Sequence, residues 1–215
     1  MSLAGDARTL QNGARELGVE LGDVPAQRLL SLLDELLKWN AAYNLTAITD
    51  PAKMLTHHLL DSLAVQPALH GTTVADVGTG AGFPGLPLAV VDPGRRFTLI
   101  DSNNKKVRFV GHAAHLLGLT NVTAVHSRSE SFKSTKPFDT VIARAFAALP
   151  ELLRLVSPLC GPATRVLAMK GKRPDDEIAG IPASWRVLEV RTLKVPGLNE
   201  ERHLVTLQRA AAGTD

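Results

Sequence analysis

The chain has 215 residues, 45% of them hydrophobic and 21% charged, enough to bury a full core as one main domain with an accessory element. Its 24 Lys and Arg against 21 Asp and Glu leave a net charge of +3, too slight by itself to argue for a nucleic-acid partner. The single cysteine, Cys160, excludes an intramolecular disulfide and a cysteine-rich zinc site. No apolar run reaches the roughly 20 residues that cross a bilayer and the first residues lack a secretion signal, so a cytoplasmic protein without a membrane partner is expected.

Residues 7–20 and 25–40 are expected to be helices, the second opening on Pro25 with Leu29, Leu33, Leu36 and Leu37 as its apolar stripe, widened by Leu30 and Leu32. Trp39 to Ile48 is a polar and aromatic connection with neither helical nor strand periodicity. Asp50-Pro51 then starts a helix to about Leu69, with Met54, Leu55, His58, Leu59 and Leu63 on its apolar side. His57 and Asp61, four positions apart, share a helix face and can pair; a structural histidine held by an aspartate is the simpler reading, since no further ligand-spaced residues accompany them.

From residue 73 strands and helices alternate. Strands are expected at 73–77, 97–100, 122–125, 139–143 and 164–169, and helices at 83–91, 104–117 and 148–158. A short apolar run in the first strand ends in Asp76 and opens into Gly78-Thr79-Gly80-Ala81-Gly82, where glycines permit positive φ, close backbone approach or tight helix packing. The spacing is GxGxG, neither a dinucleotide fingerprint nor a phosphate loop, and the acidic Asp76 disfavours a pyrophosphate. A nucleotide-like cofactor with a cationic, amino-bearing end fits better, and S-adenosyl-L-methionine is the candidate. An ordinary tight turn is the bland alternative. Asp101 ends the second strand 25 positions after Asp76, placed to accept hydrogen bonds from both ribose hydroxyls.

Ser129 and Glu130 follow the third strand, where an adenine would be read, and Arg144 ends the apolar fourth strand, facing cofactor and substrate together. Cys160, at an apolar helix end, is read as packing. Lys105, Lys106 and Arg108 follow one strand and Lys170, Lys172 and Arg173 another, which puts a basic rim around the glycine loop if both strands are parallel in one sheet. Residues 184–193 and 202–209 are strands too closely spaced for a helical crossover, so they pair antiparallel at one edge. The expected fold is α/β: a mostly parallel seven-stranded sheet with helices on both faces and an antiparallel C-terminal edge hairpin. About five residues at each terminus are expected to be disordered.

Specific words along the chain carry a family resemblance. They are Trp39-Asn40, Asn44-Leu45-Thr46-Ala47-Ile48, His58-Leu59-Leu60-Asp61-Ser62-Leu63, the run from Asp76 to Gly85, Arg144-Ala145-Phe146-Ala147, Lys170-Gly171, Lys194-Val195-Pro196-Gly197-Leu198 and Glu201-Arg202-His203. Over nearly its whole length the chain resembles the bacterial small-subunit ribosomal RNA guanine-N7 methyltransferases, also called glucose-inhibited division protein B; Asn103-Asn104 departs from the family pattern. The resemblance implies a Rossmann-like class I methyltransferase fold, S-adenosyl-L-methionine as donor and S-adenosyl-L-homocysteine as product. It also implies N7 methylation of one guanine in 16S rRNA, whose loss is associated with low-level streptomycin resistance. Carried onto this sequence, the family's cofactor contacts fall on Gly78, Phe83, Ser129, Glu130 and Arg144, beside Asp76, Gly80, Gly82 and Asp101 from the loop and strand ends.

Guanine N7 has a lone pair and no proton to lose, so no general base is needed and Arg144 is assigned to positioning. Asn44, Lys105, Lys106, Arg108, Lys170, Lys172, Arg173 and His203 are the expected RNA contacts, and no metal is expected. Trp39 and Tyr43 either stack on RNA or anchor helices; His203 and Arg202 either contact RNA or close the fold. Residues 1–70 are expected as a helical extension on a methyltransferase core of 71–215, in a monomer bound to 16S rRNA or the small subunit. A non-catalytic ribosome-associated factor and a small-molecule methyltransferase remain as alternatives.

Overall fold

The computed structural model describes residues 3–210, with side chains from residue 6; the expected disorder at the two ends concerns residues that lie largely outside this range. Helices α1 (Leu3–Glu16) and α2 (Asp23–Tyr43) come first. α2 buries Leu29, Leu30, Leu32, Leu33 and Leu36, as its period requires, and continues past residue 40 until Asn44 turns left-handed (φ 50°) and returns its N–H to the Asn40 carbonyl. Half of the expected irregular connection is therefore helical.

The next helix begins where expected, with the Asp50 carboxylate accepting from the Ala52 and Lys53 amides and Pro51 in the first turn. It is not one uniform helix. α3 (Pro51–Met54) passes into a π-helical segment, Leu55–Leu60, and then α4 (Asp61–Leu63). Beyond it the elements run β1 (Thr73–Val77), α5 (Gly85–Val91), β2 (Arg96–Asp101), α6 (Asn104–Leu116), β3 (Val122–His126), β4 (Phe138–Arg144) and α7 (Leu149–Val156). They continue with β5 (Cys160–Lys170), α8 (Asp175–Ala179), β6 (Trp185–Thr192) and β7 (His203–Arg209).

All seven strands form one sheet in the order β3-β2-β1-β4-β5-β7-β6. The first five are parallel, while β7 runs antiparallel to both β5 and β6, giving the expected edge hairpin. The order reverses between β1 and β4, which opens a crevice at the carboxyl ends of those strands. Cys160 opens β5 instead of closing a helix; its thiol donates to the Val156 carbonyl at 3.2 Å, and burial pushes its pKa up to about 12, so it packs and does not ionise.

Both faces of the sheet are covered, and side-chain parity sorts residues between them. Val74, Leu99, Ile142, Leu167 and Leu204 pack with α2, α5, α6 and the π-helical segment. Their strand neighbours Ala75, Ile100, Val141, Ala168 and Val205 pack with α7 on the other face. The entry to β1 is held by Asp139, whose carboxylate accepts from the Thr72 amide (2.7 Å), the Thr73 amide (2.9 Å) and the Thr73 hydroxyl (2.9 Å). Partial burial alone would raise its pKa, but these bonds outweigh it and hold the pKa below the usual carboxylate value. Asp139→Ala is expected to cost about 2 to 3 kcal/mol in urea unfolding by stranding these donors. That stabilisation is present above the ordinary carboxylate pKa and lost as pH falls through the depressed native value, so the wild-type advantage should shrink in acid; an advantage constant from pH 7 to 3 would refute the charge contribution.

Candidate active site

The loop after β1 is shaped from below. Asp76 shares the parity of Val74, so its side chain turns into the face covered by α2, α5 and α6 and lies only 1% exposed. One carboxylate oxygen accepts from the Thr79 hydroxyl (2.6 Å) and the Gly85 amide (2.8 Å), tying the start of the loop to the first residue of α5. Any Cβ at Gly85 would meet that same oxygen at 2.7 Å. Burial pushes Asp76 up to about 6, against the two hydrogen bonds, which lower it.

Above the loop, at the carboxyl ends of β1 to β4, lies a cleft of about 460 Å³ whose walls include Gly78, Asp101, Lys106, Ser129, Glu130 and Phe146. Gly78 has φ +66°, and a Cβ there would run into the Phe146 ring, so only glycine leaves this wall bare. The Asp101 carboxylate accepts from the Gly80 amide (2.8 Å) and the Asn103 amide (2.7 Å), joining the glycine loop to the end of β2. Each oxygen keeps a lone pair for a ligand. Ser129 donates to Glu130 at 3.2 Å. Two carboxylates and a bare backbone wall suit a ligand carrying hydroxyl and amino groups, which is the donor chemistry of S-adenosylmethionine.

A second cavity of about 430 Å³ adjoins the first, and Ala145 forms part of the wall of both. Here Arg144 donates through Nη1 to the His57 carbonyl (2.9 Å) and to Asp61 (3.2 Å), while Arg202 Nε donates to the other Asp61 oxygen (3.1 Å). The Asp61 side chain is 4% exposed, so one buried carboxylate joins the helical segment, the end of β4 and the approach to β7. Phe83 stacks on His58 with ring centroids 4.7 Å apart, and the Arg144 guanidinium lies 5.7 Å from the Phe83 centroid. Burial, then the charges of Arg144 and His57, lower His58 to about 4, so its ring is neutral at neutral pH.

Several expected contacts stand elsewhere. Asp76 is beneath the loop, Gly82 packs on Leu86 and Val110, and Phe83 is 3% exposed against His58, so none of them lines the first cleft. Arg144 lines the second cavity and not the first. Lys106, expected at RNA, lines the first cleft. Lys170 is tied to the Ala147 carbonyl (2.8 Å) and Glu177 (2.7 Å), and buried His203 bonds the Gly171 carbonyl (2.9 Å), so neither is presented as a free phosphate contact. His57 and Asp61 do not pair: His57 meets Glu200, and Asp61 meets the two arginines.

Trp39 anchors, packing on Phe109 and His112 and donating to Glu35. Asn44, Lys105, Arg108, Lys172 and Arg173 are exposed, the last paired with Asp175. Phe146 and the Asp61–Arg202 pair escaped the sequence reading. Strand parity was the available signal for Arg144, which shares the face of Ile142 and hence of the histidine-bearing helix.

Among the described residues no helix is long and apolar enough to cross a membrane, and no group of three or more His, Cys, Asp or Glu is arranged to hold a metal. The family profile described as GidB, rRNA small subunit methyltransferase G, matches residues 26–205. A "Ribosomal RNA small subunit methyltransferase G" of Methylococcus capsulatus is 49% identical over 199 residues, 93% of this chain and 97% of that protein. The protein of the same name from Cronobacter sakazakii is 47% identical over 200 residues, again 93% and 97%. Among solved structures, a SAM dependent methyltransferase from Aquifex aeolicus superposes with TM-score 0.54 at 21% identity, over 74% of this chain and 94% of that one. TrmN from Thermus thermophilus gives 0.56 at 19%, over 73% and 53%. At these identities the likeness is one of fold.

Two buried groups titrate in opposite directions. Above about pH 6.5 neither native nor unfolded His58 binds a proton; between 6.5 and about 4 only the unfolded chain does, so acidification through this window removes stability. Asp76 binds its proton first in the native chain, from about 6 down to the ordinary 3.8, so the same acidification adds stability. The two largely offset. His58→Phe should unmask Asp76, and relative to wild type the variant should gain roughly 3 kcal/mol between pH 7 and pH 4 in urea unfolding. A difference independent of pH would show that His58 is not held neutral by its surroundings.

Proposed function

Because this chain belongs to the rRNA small subunit methyltransferase G family, we propose how its two cavities divide the work of methylating RNA. The chain is an S-adenosylmethionine-dependent methyltransferase acting on N7 of a guanine in 16S rRNA and leaving S-adenosylhomocysteine. The observation that carries the donor assignment is the cleft at the β1/β4 reversal, with bare Gly78 on one wall and Asp101 at the end of the neighbouring strand. In our reading Gly78 gives the donor's methionine end close backbone approach, Asp101 accepts from its ribose hydroxyls, and Ser129 with Glu130 receives its adenine. Lys106 joins them on the same wall.

When bound, the donor supplies a sulfonium-activated methyl, which N7 takes with its in-plane lone pair as the S–C electron pair passes to sulfur. No proton moves, so the chain's task is alignment, worth ~7 to 11 kcal/mol in favourable cases. Arg144 contributes by holding position, anchored on the His57 carbonyl and Asp61. The helices up to residue 70 are read as an extension on the core of 71–215. Exposed Lys105, Arg108, Lys172 and Arg173 follow the carboxyl ends of parallel β2 and β5 and form the phosphate-contacting rim, with Asn44 a further RNA contact. The protein is proposed to act in the cytoplasm as a monomer.

Mapping 7-methylguanine in 16S rRNA from a deletion strain, with and without this gene, tests the function. A target guanine unmethylated without the gene and methylated with it is expected; no difference would overturn the reading in favour of a small-molecule enzyme or a non-catalytic factor. Gly78→Val should abolish donor binding in calorimetry, because the side chain meets Phe146 and the backbone is left-handed. Asp101→Ala should weaken it by about 2 to 3 kcal/mol, roughly 30- to 160-fold. Unchanged affinity in both variants would remove the donor from this cleft. Lys172→Ala with Arg173→Ala should lower the salt dependence of RNA binding by up to about 2 counterions while donor affinity holds; identical slopes would take this loop out of the RNA surface.

A further inference from the structure

Resting on that reading, we propose that the second cavity, walled by Ile48, His58, Asp61, Arg144, Gly171 and Arg202, is the socket for the target guanine. Five observations converge on it. The cavity touches the donor cleft along Ala145, so a base seated in it is one residue's thickness from the donor. Its volume of about 430 Å³ accommodates a purine with room for its sugar.

The polar groups suit guanine in particular. Both side-chain bonds of Arg144 use Nη1, so its Nη2 and Nε hydrogens have no partner among the described residues and can donate to guanine O6. Beside it, buried His58 bonds Thr46 through Nε2 and leaves Nδ1 unpaired. That nitrogen is itself buried, so His58 bounds the socket as a neutral ring and Arg144 supplies the hydrogen bonds to the base. An O6 donor next to an unobstructed N7 is what methylation at N7 requires, since a bidentate contact to both atoms would block the reacting lone pair.

The chain is also deformed here. His57 and His58 both line this cavity from the π-helical segment Leu55–Leu60, a rare helical deformation that is frequent at functional sites. Charge fits as well: Asp61 stands between two guanidiniums and moderates the positive field that a methylated, cationic purine would meet.

The rival occupant is the donor's own carboxylate, drawn to the same arginines. Gly171 separates the two. It lies on the cavity wall, its φ is not left-handed, and a Cβ there meets no heavy atom within 4 Å, so larger side chains enter open space. In Gly171→Ala, Gly171→Leu and Gly171→Phe, methylation efficiency on 16S rRNA in small subunits should fall progressively, to roughly 100-fold below wild type for Phe, with the donor Kd within about twofold. Photo-crosslinks from 6-thioguanosine-substituted 16S rRNA should map to peptides carrying Ile48, Arg144 or Arg202 and be lost in the Leu and Phe variants. Undiminished methylation in variants that bind donor normally would overturn the socket while leaving the methyltransferase reading intact. Donor affinity falling in step with methylation in Leu as well as Phe would also overturn it, giving the cavity to the donor. If the Phe variant alone loses donor binding, the Leu variant decides. A wild-type protein that leaves 16S rRNA unmethylated would remove the underlying reading instead.

Discussion

The active-site edge of this protein hangs on a carboxylate with almost no water around it. Asp76 is 1% exposed, and one of its oxygens holds both Thr79 and Gly85 while the other has no partner among the described residues. Burying a half-satisfied carboxylate is costly, as its pKa near 6 registers. What the fold obtains is a loop whose two ends are fixed from below, so that its upper surface can be bare backbone. Asp101 does the same from the side, through the Gly80 amide. The glycine loop is thus held by two acids that grip its amides and hydroxyl, while Gly78 keeps the cleft surface clear and Gly82 lets the loop pack on Leu86.

A second ionic constraint spans the other cavity. Asp61, Arg144 and Arg202 are far apart in sequence, and their contact fixes the helical extension against the end of β4 and the approach to β7. Replacing a buried ion pair by apolar groups is often neutral for stability, so the cluster is weak evidence for tight folding and better evidence for fixed geometry. The helical segment thereby supplies His57, His58 and Asp61 to the second cavity, opposite Arg144 and Met169 from the sheet.

Legibility in the sequence followed the range of the interaction. Strand and helix positions, the edge hairpin and the two acids at strand ends are local patterns of period and spacing, and the structure has them within a few residues. The π-helical segment was not legible because a widened turn leaves the apolar pattern of Met54, Leu55, His58, Leu59 and Leu63 intact. The Asp61 contacts were hidden for another reason: they bridge 83 and 141 positions, and the nearer candidate, His57, satisfied the helical spacing. Lys106 and Lys170 show the limit of reading charge as surface, since a long side chain beside a cleft or an acid is drawn to it.

The short turn between the two cavities shows how the constraints combine. Ala145 has φ +48°, a left-handed conformation that costs a side-chain-bearing residue about 1 to 2 kcal/mol and persists only where its surroundings insist on it. On one side Arg144 is anchored by His57 and Asp61; on the other Phe146 lies over Gly78. These two anchorages pull residues two positions apart into different cavities, and Ala145 between them must turn sharply to serve both. A larger side chain at this position would thicken the wall between the cavities, and a straight strand end would send residues 144 and 146 to the same face. The strain therefore sits on the wall shared by the two cavities, held by contacts that the sheet and the segment from His57 to Asp61 supply jointly.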